Sequence, residues 1–416
     1  MRVLFPYMAR WHAVNWGRYH ALLSAVAKAG HEVTVLHPPA FSGSDEIGWQ
    51  DVHELPVPSG LRLQEVQMPG WWSRRWPLDK LVRKGSFALA ASQHVYRAIR
   101  EQGVDTLLVY NIPLLPLVSV ARRAWADEGR QGTVAFDLAD NLLAMLKREA
   151  HLLAPAVGPI GGMALRRLIR TSDVVTAASV SLLDLCENRG NWLPNGVELG
   201  HIGYRTSLCE PKAVGFIGAW EYFVNLDLVV EVVSRMPDWT FHFVGGGRRQ
   251  EDARVRLSAF PNVCWHGPVP HNAIERHLHA WNVGLVPFGG GPVAKDSSPL
   301  KALDYLAAGA AVVTTPIPEL ERLQIACPGV ISVADSASGF IGAIRRMADA
   351  PANERAQARA YVSSRYNWER LASEWASLAS PVGKVSSPLH QRLARSGVRH
   401  GGEPVARVAA IEQATH

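Results

Sequence analysis

Apolar residues along this chain fall into short unbroken runs separated by longer segments in which they recur at helical spacing. In the first part the runs are Arg2–Pro6, Glu32–His37, Thr106–Tyr110, Val134–Leu138 and Val174–Ala177. Between the first two lies Arg18–Ala29, apolar at helical spacing and stopped by Gly30. Strand, helix, glycine and strand again is a βαβ unit. Repeated units of this kind predict a parallel sheet with helices on both faces. The segment Asn191-Trp192-Leu193-Pro194-Asn195-Gly196-Val197 interrupts the series with Pro and Asn-Gly turn signals and reads as a hinge. A second series follows, at Ala213–Gly218, Thr240–Val244, Val263–His266, Val283–Pro287, Ala311–Thr314 and Val330–Val333.

Two successive series predict an α/β chain of two Rossmann-like, doubly wound domains with a cleft between them. Ligands of such sheets sit beyond the carboxyl ends of the strands. The expected division is residues 1–196, then 197–365, with a helix over 366–380 returning to the first domain. Residues 381–416, rich in Ser, Arg, Gly and His, read as a disordered tail. The length agrees, since 416 residues suggest two to three domains at about 150 residues each.

Charge narrows the ligand class. With 43 Lys and Arg against 37 Asp and Glu the net charge is +6, which suits phosphate-bearing small molecules or an anionic membrane surface. Nucleic acid is not expected, because no basic-aromatic repeat accompanies that modest charge. No signal-peptide pattern opens the sequence and no apolar run is long enough to span a bilayer, so a cytoplasmic protein is expected. The four cysteines are scattered without a C-x-x-C pair and read as buried reduced thiols. His271, His277 and His279 lack ligand spacing near other chemistry and read as ordinary surface or core histidines.

The densest chemistry lies between Phe288 and Gly309. An apolar strand enters the glycine loop Gly289-Gly290-Gly291, and Ser298-Pro299 opens a helix as N-cap and first residue. A helix N-terminus reached through a glycine loop is an anion site. Lys301 in the first turn opposes the helix dipole, so its presence points to an anionic ligand. Asp304 lies one turn further on the same face, where it can accept hydrogen bonds from ribose hydroxyls.

Asp296 and Asp304 stand eight apart, immediately before Leu306-Ala307-Ala308-Gly309 and a buried strand. This resembles the E-x7-E donor motif of GT-B glycosyltransferases, in particular glycosyltransferase family 4, with both Glu replaced by Asp. The surrounding sequence is similar to a bacterial subgroup that makes exopolysaccharides and teichuronic acid. Leu193-Pro194-Asn195-Gly196-Val197, Val214–Glu221, Phe243–Gly247, His266–Pro270 and Tyr366–Arg370 resemble further segments of that family in order and spacing. The resemblance implies a nucleotide-sugar donor, UDP- or GDP-linked, and retention of anomeric configuration is its mechanistic corollary. By the same resemblance Asp304 holds the ribose, while Lys301 with Ser298 and Pro299 holds the diphosphate. Asp296 is assigned to the sugar hydroxyls, backbone near Gly245 and Val269 to the base, and Gly218 and Trp220 to the donor-domain loop. The Arg and Lys that many members carry after the first donor-domain strand are missing from Gly218–Asn225, leaving Lys301 as the main cation, with Lys295 nearby. No metal or other cofactor is expected, since the helix dipole and Lys301 can stabilise the departing diphosphate.

The first domain is expected to hold a glycan or polyprenyl-diphosphate-linked acceptor. Its loop Met8–Gly17 follows the first strand, and His12, Asn15 and Gly17 are acceptor candidates beside Trp rings able to stack on sugars. Asp137 and Asp140, ending another strand at the same edge, are candidate acceptor ligands or a general base, the latter implying inversion. A non-catalytic nucleotide-sugar-binding subunit is the rival reading. Trp71–Lys84 and Met163–Arg170 mix aromatic or apolar residues with cations and suggest peripheral contact with the inner face of a membrane.

Overall fold

The computed structural model describes residues 1–14, 16–39, 55–69, 79–205 and 212–380. The expectations for Asn15, for the Trp71–Lys84 segment up to residue 78, for Cys209 and for the tail 381–416 lie outside them. Seven strands form the first sheet: β1 (Arg2–Pro6), β2 (Glu32–His37), β3 (Leu61–Glu65), β4 (Thr106–Val109), β5 (Thr133–Leu138), β6 (Val174–Ala177) and β7 (Gly190–Trp192). All pair in parallel, in the order β3-β2-β1-β4-β5-β6-β7. The second sheet holds β8 (Ala213–Ile217), β9 (Thr240–Val244), β10 (Val263–Gly267), β11 (Val283–Val286), β12 (Ala311–Thr314) and β13 (Ile331–Val333). Its order is β10-β9-β8-β11-β12-β13, again parallel throughout. Both sheets reverse strand order beside their first strand. That places a crevice at the carboxyl ends of β1 and β4 in one domain and of β8 and β11 in the other.

The centre of each sheet is buried on both faces. β4, β5, β8, β11 and β12 have every residue buried, which is why they read as continuous apolar runs. β3 and β7 are edge strands, and both were absent from the predicted set. Leu61-Arg62-Leu63-Gln64-Glu65 buries Leu61 alone, and β7 overlaps the predicted hinge at Asn191 and Trp192.

The chain returns to its first domain through the helix Trp368–Ala379. Its Trp368, Leu371, Ala372 and Trp375 pack with Val3, Phe5, Leu22 and Val26 in a single apolar cluster. Contacts also cross directly between the domains. Val180 N donates to Glu319 Oε2 at 3.0 Å, and the Arg148 guanidinium lies 3.5 Å from the centre of the Tyr222 ring.

Candidate functional site

The cleft between the two sheets is a cavity of about 490 Å³ lined from both domains. From the second domain come Gly218, Gly245, Val269, Ser298, Pro299, Lys301 and Asp304. From the first come His12, Gly17 and Asp140.

The donor-side wall is set by the helix Leu300–Ala308. Tyr305 is fully buried and its ring lies against Gly284 of β11, where a Cβ would stand 2.3 Å from the ring. The Tyr305 hydroxyl accepts from Ile217 N at 2.9 Å and donates to the Leu285 carbonyl at 3.3 Å, joining β8 to β11. The helix is thereby pinned close to the sheet with its first turn in the cleft. It begins one residue later than expected. Pro299, in an extended conformation, is the N-cap, and no side chain caps the helix. Ser298 instead turns its carbonyl to Asn195 Nδ2 at 2.5 Å. The leading N–H groups therefore face the cleft without a side-chain acceptor, which favours an anion there.

Lys301 Nζ sits 4.3 Å from the centre of the Phe216 ring and 4.8 Å from that of Phe288. It forms no ion pair among the described residues, and burial pushes its pKa down to about 7. A desolvated cation held over two rings, with only the nearby Asp304 carboxyl opposing the effect of burial, is primed to accept a negative group. Gly218, at φ 139°, leaves room for it, since a Cβ there would approach Lys301 Nζ to 2.7 Å. Gly245, at φ 131°, passes so close to Gly218 that a Cβ would meet the Gly218 carbonyl oxygen at 2.0 Å. At Gly218 and Gly245 only backbone lines the cleft.

Burial pushes the Asp304 carboxyl up to about 7, with His271 and Lys301 lowering it and Glu198 raising it. His271 was expected to be an ordinary histidine, yet it lines the cleft. Its Nε2 lies 3.0 Å from Glu198 Oε2, and its ring stacks on Trp16 of the first domain at 5.1 Å. Glu198 carried no motif, so the sequence offered no signal for it; Asn195 stood in the Leu193–Val197 segment and Trp16 in the Met8–Gly17 loop, and both line the cleft.

Other assignments change. Trp220 does not face the cleft. It is 1% exposed and packs between Phe216, Phe243 and Trp265, because the chain turns its ring into the domain core. Asp296 does not line the cleft either; its Oδ2 accepts from Asn141 Nδ2 at 2.6 Å and its carbonyl accepts from Ser179 Oγ at 2.7 Å, both across the domain boundary. Lys295 is exposed. Of the cysteines, Cys186 and Cys327 are buried but Cys264 is exposed.

On the acceptor side the two carboxylates separate. Asp137 is 0% exposed, with Oδ2 and Oδ1 accepting from Arg18 Nε and Nη2, each at 2.8 Å, and Oδ1 also accepting from Thr176 Oγ1 at 2.6 Å. Thus held, it does not line the cleft. Asp140 opens on the cleft, where desolvation and the neighbouring Asp137 raise its pKa against the lowering effect of Arg18. Arg18, read at first only as the start of an amphipathic helix, goes on to donate to the Leu193 and Pro194 carbonyls and to Asn195 Oδ1. An unbroken polar chain thus runs Asp137–Arg18–Asn195–Ser298 from the first domain to the donor helix.

The loop Met8–Gly17 is braced by His20, whose pKa burial lowers to about 4, so that it is neutral. Its Nδ1 accepts from Gly17 N at 3.4 Å, which leaves Nε2 to donate to the Trp11 carbonyl at 3.0 Å. Trp11 is a core residue, whereas Trp16 reaches the cleft. His12 lines the cleft with Nδ1 accepting from Leu55 N at 3.1 Å. Among the described residues no group of three His, Cys, Asp or Glu is arranged to hold a metal ion.

A family model described as "Glycosyl transferases group 1" matches residues 211–350. Over 307 residues the chain is 25% identical to TuaH of Bacillus subtilis, named a teichuronic acid biosynthesis glycosyltransferase, covering 67% of this chain and 74% of that one. Among solved structures, sucrose-phosphate synthase from Thermosynechococcus elongatus has a TM-score of 0.69 at 14% identity, over 91% of this chain and 98% of its own. Anabaena HepE in complex with UDP-glucose has a TM-score of 0.60 at 14% identity, over 90% and 98%. WaaG, a glycosyltransferase involved in lipopolysaccharide biosynthesis, has a TM-score of 0.62 at 14% identity, over 91% and 100%. At these identities the structural likenesses establish the two-domain GT-B fold.

Proposed function

We propose that this chain, a GT-B glycosyltransferase with a group 1 domain at residues 211–350, transfers a hexose from a nucleoside diphosphate sugar to a glycan or lipid-linked acceptor in polysaccharide synthesis. One observation carries the reading. A desolvated, unpaired Lys301 and an uncapped helix N-terminus share a cleft with an Asp304 carboxylate that makes no hydrogen bond among the described residues. In this reading the diphosphate lies against Lys301 and the N–H groups of Leu300 and Lys301, and the ribose hydroxyls donate to Asp304. The base stacks beside the backbone of Gly245 and Val269. As the sugar leaves, negative charge grows on the diphosphate, and the fixed dipole and cation stabilise it without reorganisation. The HepE complex with UDP-glucose supports a nucleotide-sugar donor, and the teichuronic acid biosynthesis in the TuaH name supports a role in glycan synthesis.

Donor affinity should depend on pH with limbs on both sides of about 7. Above that value the free Lys301 loses its proton and the cation is gone; below it Asp304 gains one and stops accepting fully. The diphosphate of a nucleotide sugar does not itself titrate in this range. Calorimetric titration of UDP- and GDP-sugars from acid to alkaline pH is expected to show an optimum near 7. Lys301→Met should remove the alkaline limb, and Asp304→Asn the acid limb. An affinity flat with pH would sink the assignment of both groups.

The motif resemblance favours retention, in which no protein base is needed. The position of Asp140 favours a second reading. It is the carboxylate open to the cleft from the first domain, with a raised pKa suited to accepting a proton during inversion. Asp140→Asn separates them. Retention predicts a turnover near that of the unaltered enzyme with the donor's anomer preserved. Inversion predicts a loss of about 100- to 10,000-fold at unchanged donor affinity.

A further inference from the structure

The helices Leu142–Ala150 and Ala154–Thr171 fold back on one another, turning at His151–Leu153. Small residues zip them together. A Cβ at Gly161 would lie 2.3 Å from Leu146 Cδ2, and one at Gly158 would lie 2.9 Å from Lys147 Cε. Leu165, Leu168 and Ile169 anchor the second helix in the domain core. The opposite face is exposed; at its far end Arg170 pairs with Glu187 at 2.8 Å, and near the turn it is apolar. Leu152 is 95% exposed, Ile160 63%, Met163 58% and Leu153 47%.

Exposed positions Ala156, Ile160, Met163, Arg167 and Arg170 form one stripe, apolar towards the turn and cationic away from it, with Arg166 alongside. Lys147 and Arg148 are exposed on the first helix. The hairpin contains a single carboxylate, Glu149, whose Oε2 is paired with Lys84 Nζ at 2.7 Å. A lone exposed leucine needs no explanation, but a contiguous apolar tip rimmed by cations does.

We propose that this tip inserts into the surface of an anionic lipid bilayer, with Arg166, Arg167 and Lys147 at headgroup level. The grading from apolar to cationic along the stripe matches the depth profile of a membrane surface, and the charge is complementary to anionic headgroups. The hairpin lies on the membrane and does not cross it. Its most apolar 18-residue window has a mean hydropathy of 1.2 and is 33% buried, and the turn at His151, φ 48°, divides the apolar stretch in two. The first helix runs from beside Asp140 and Asn141 to the tip over nine residues, about 14 Å. A bilayer there holds the headgroup of a lipid-linked anionic acceptor one short helix from the first-domain half of the cleft. Only this last step depends on the function proposed above.

Vesicle flotation of the full chain tests the docking surface. With phosphatidylglycerol and phosphatidylethanolamine vesicles at low salt the protein is expected to float. It should float less at high salt and little with phosphatidylcholine alone. Leu152→Asp with Ile160→Asp should weaken vesicle binding about tenfold or more. Arg166→Glu with Arg167→Glu should abolish the preference for anionic lipid. Both positions are exposed, so melting temperature and nucleotide-sugar binding should be unchanged, which separates failure of this surface from failure of the donor site. The proposal is overturned if the unaltered protein stays with the soluble fraction in every vesicle, or if the Asp variant floats as well as it does. A concentration-dependent dimer broken by Leu152→Asp, without vesicle binding, would overturn it too, by assigning the face to a second copy of the chain.

Discussion

Replacing Asp137 by alanine is expected to destabilise the first domain by about 3–5 kcal/mol, because it leaves the Arg18 guanidinium buried without its carboxylate. Burial opposes the Arg18 charge, and Asp137 more than restores it. Melting temperature should fall by about 6–20 °C, at roughly 2–4 °C per kcal/mol for a domain of this size. The double variant Asp137→Leu with Arg18→Met should recover much of the loss, since two apolar groups leave no charge to desolvate. Arg18 also holds Leu193, Pro194 and Asn195, and Asn195 holds Ser298, so donor affinity should weaken in the single variant as well. Thermal denaturation by circular dichroism reads the first effect. A shift below about 2 °C would show that the pair does not hold the domain.

The second large effect is on binding. Lys301→Ala removes the cation over Phe216 and Phe288, and with it a charge-assisted hydrogen bond to the diphosphate worth about 1.5–3 kcal/mol. The dissociation constant for the donor should rise by about 10- to 150-fold. Little compensation is available nearby, because Lys295 is exposed and Gly218–Asn225 contributes no cation. Stability should hold or improve, since the variant no longer buries an unpaired ammonium. Equal affinity in the variant and the unaltered chain, by calorimetry, would remove Lys301 from the donor site.

What could be read from the residues follows from how each is buried. β1, β2, β6, β9 and β12 have the predicted limits because their apolar runs are bounded by turns or polar residues. β3 and β7 escaped notice because edge strands bury little and keep polar residues. The helix start in the cleft was legible because glycine loop, proline and helix start are local features in consecutive residues. Arg18 was not, because its partner Asp137 lies 119 residues away and an arginine in a first helical turn reads as surface. Trp220 failed for a related reason, since nothing local tells whether a tryptophan after a strand faces the cleft or the core.

Nucleoside diphosphate release is the most direct measurement of the central claim. The full chain would be incubated with UDP- and GDP-sugars and a lipid extract as acceptor source, beside the Lys301→Ala variant. Transfer through this cleft predicts release with at least one nucleotide sugar, dependent on acceptor and strongly reduced in the variant at sub-saturating donor. Donor that binds the folded protein yet yields no release with any acceptor would contradict it, and would leave a nucleotide-sugar-binding subunit in its place.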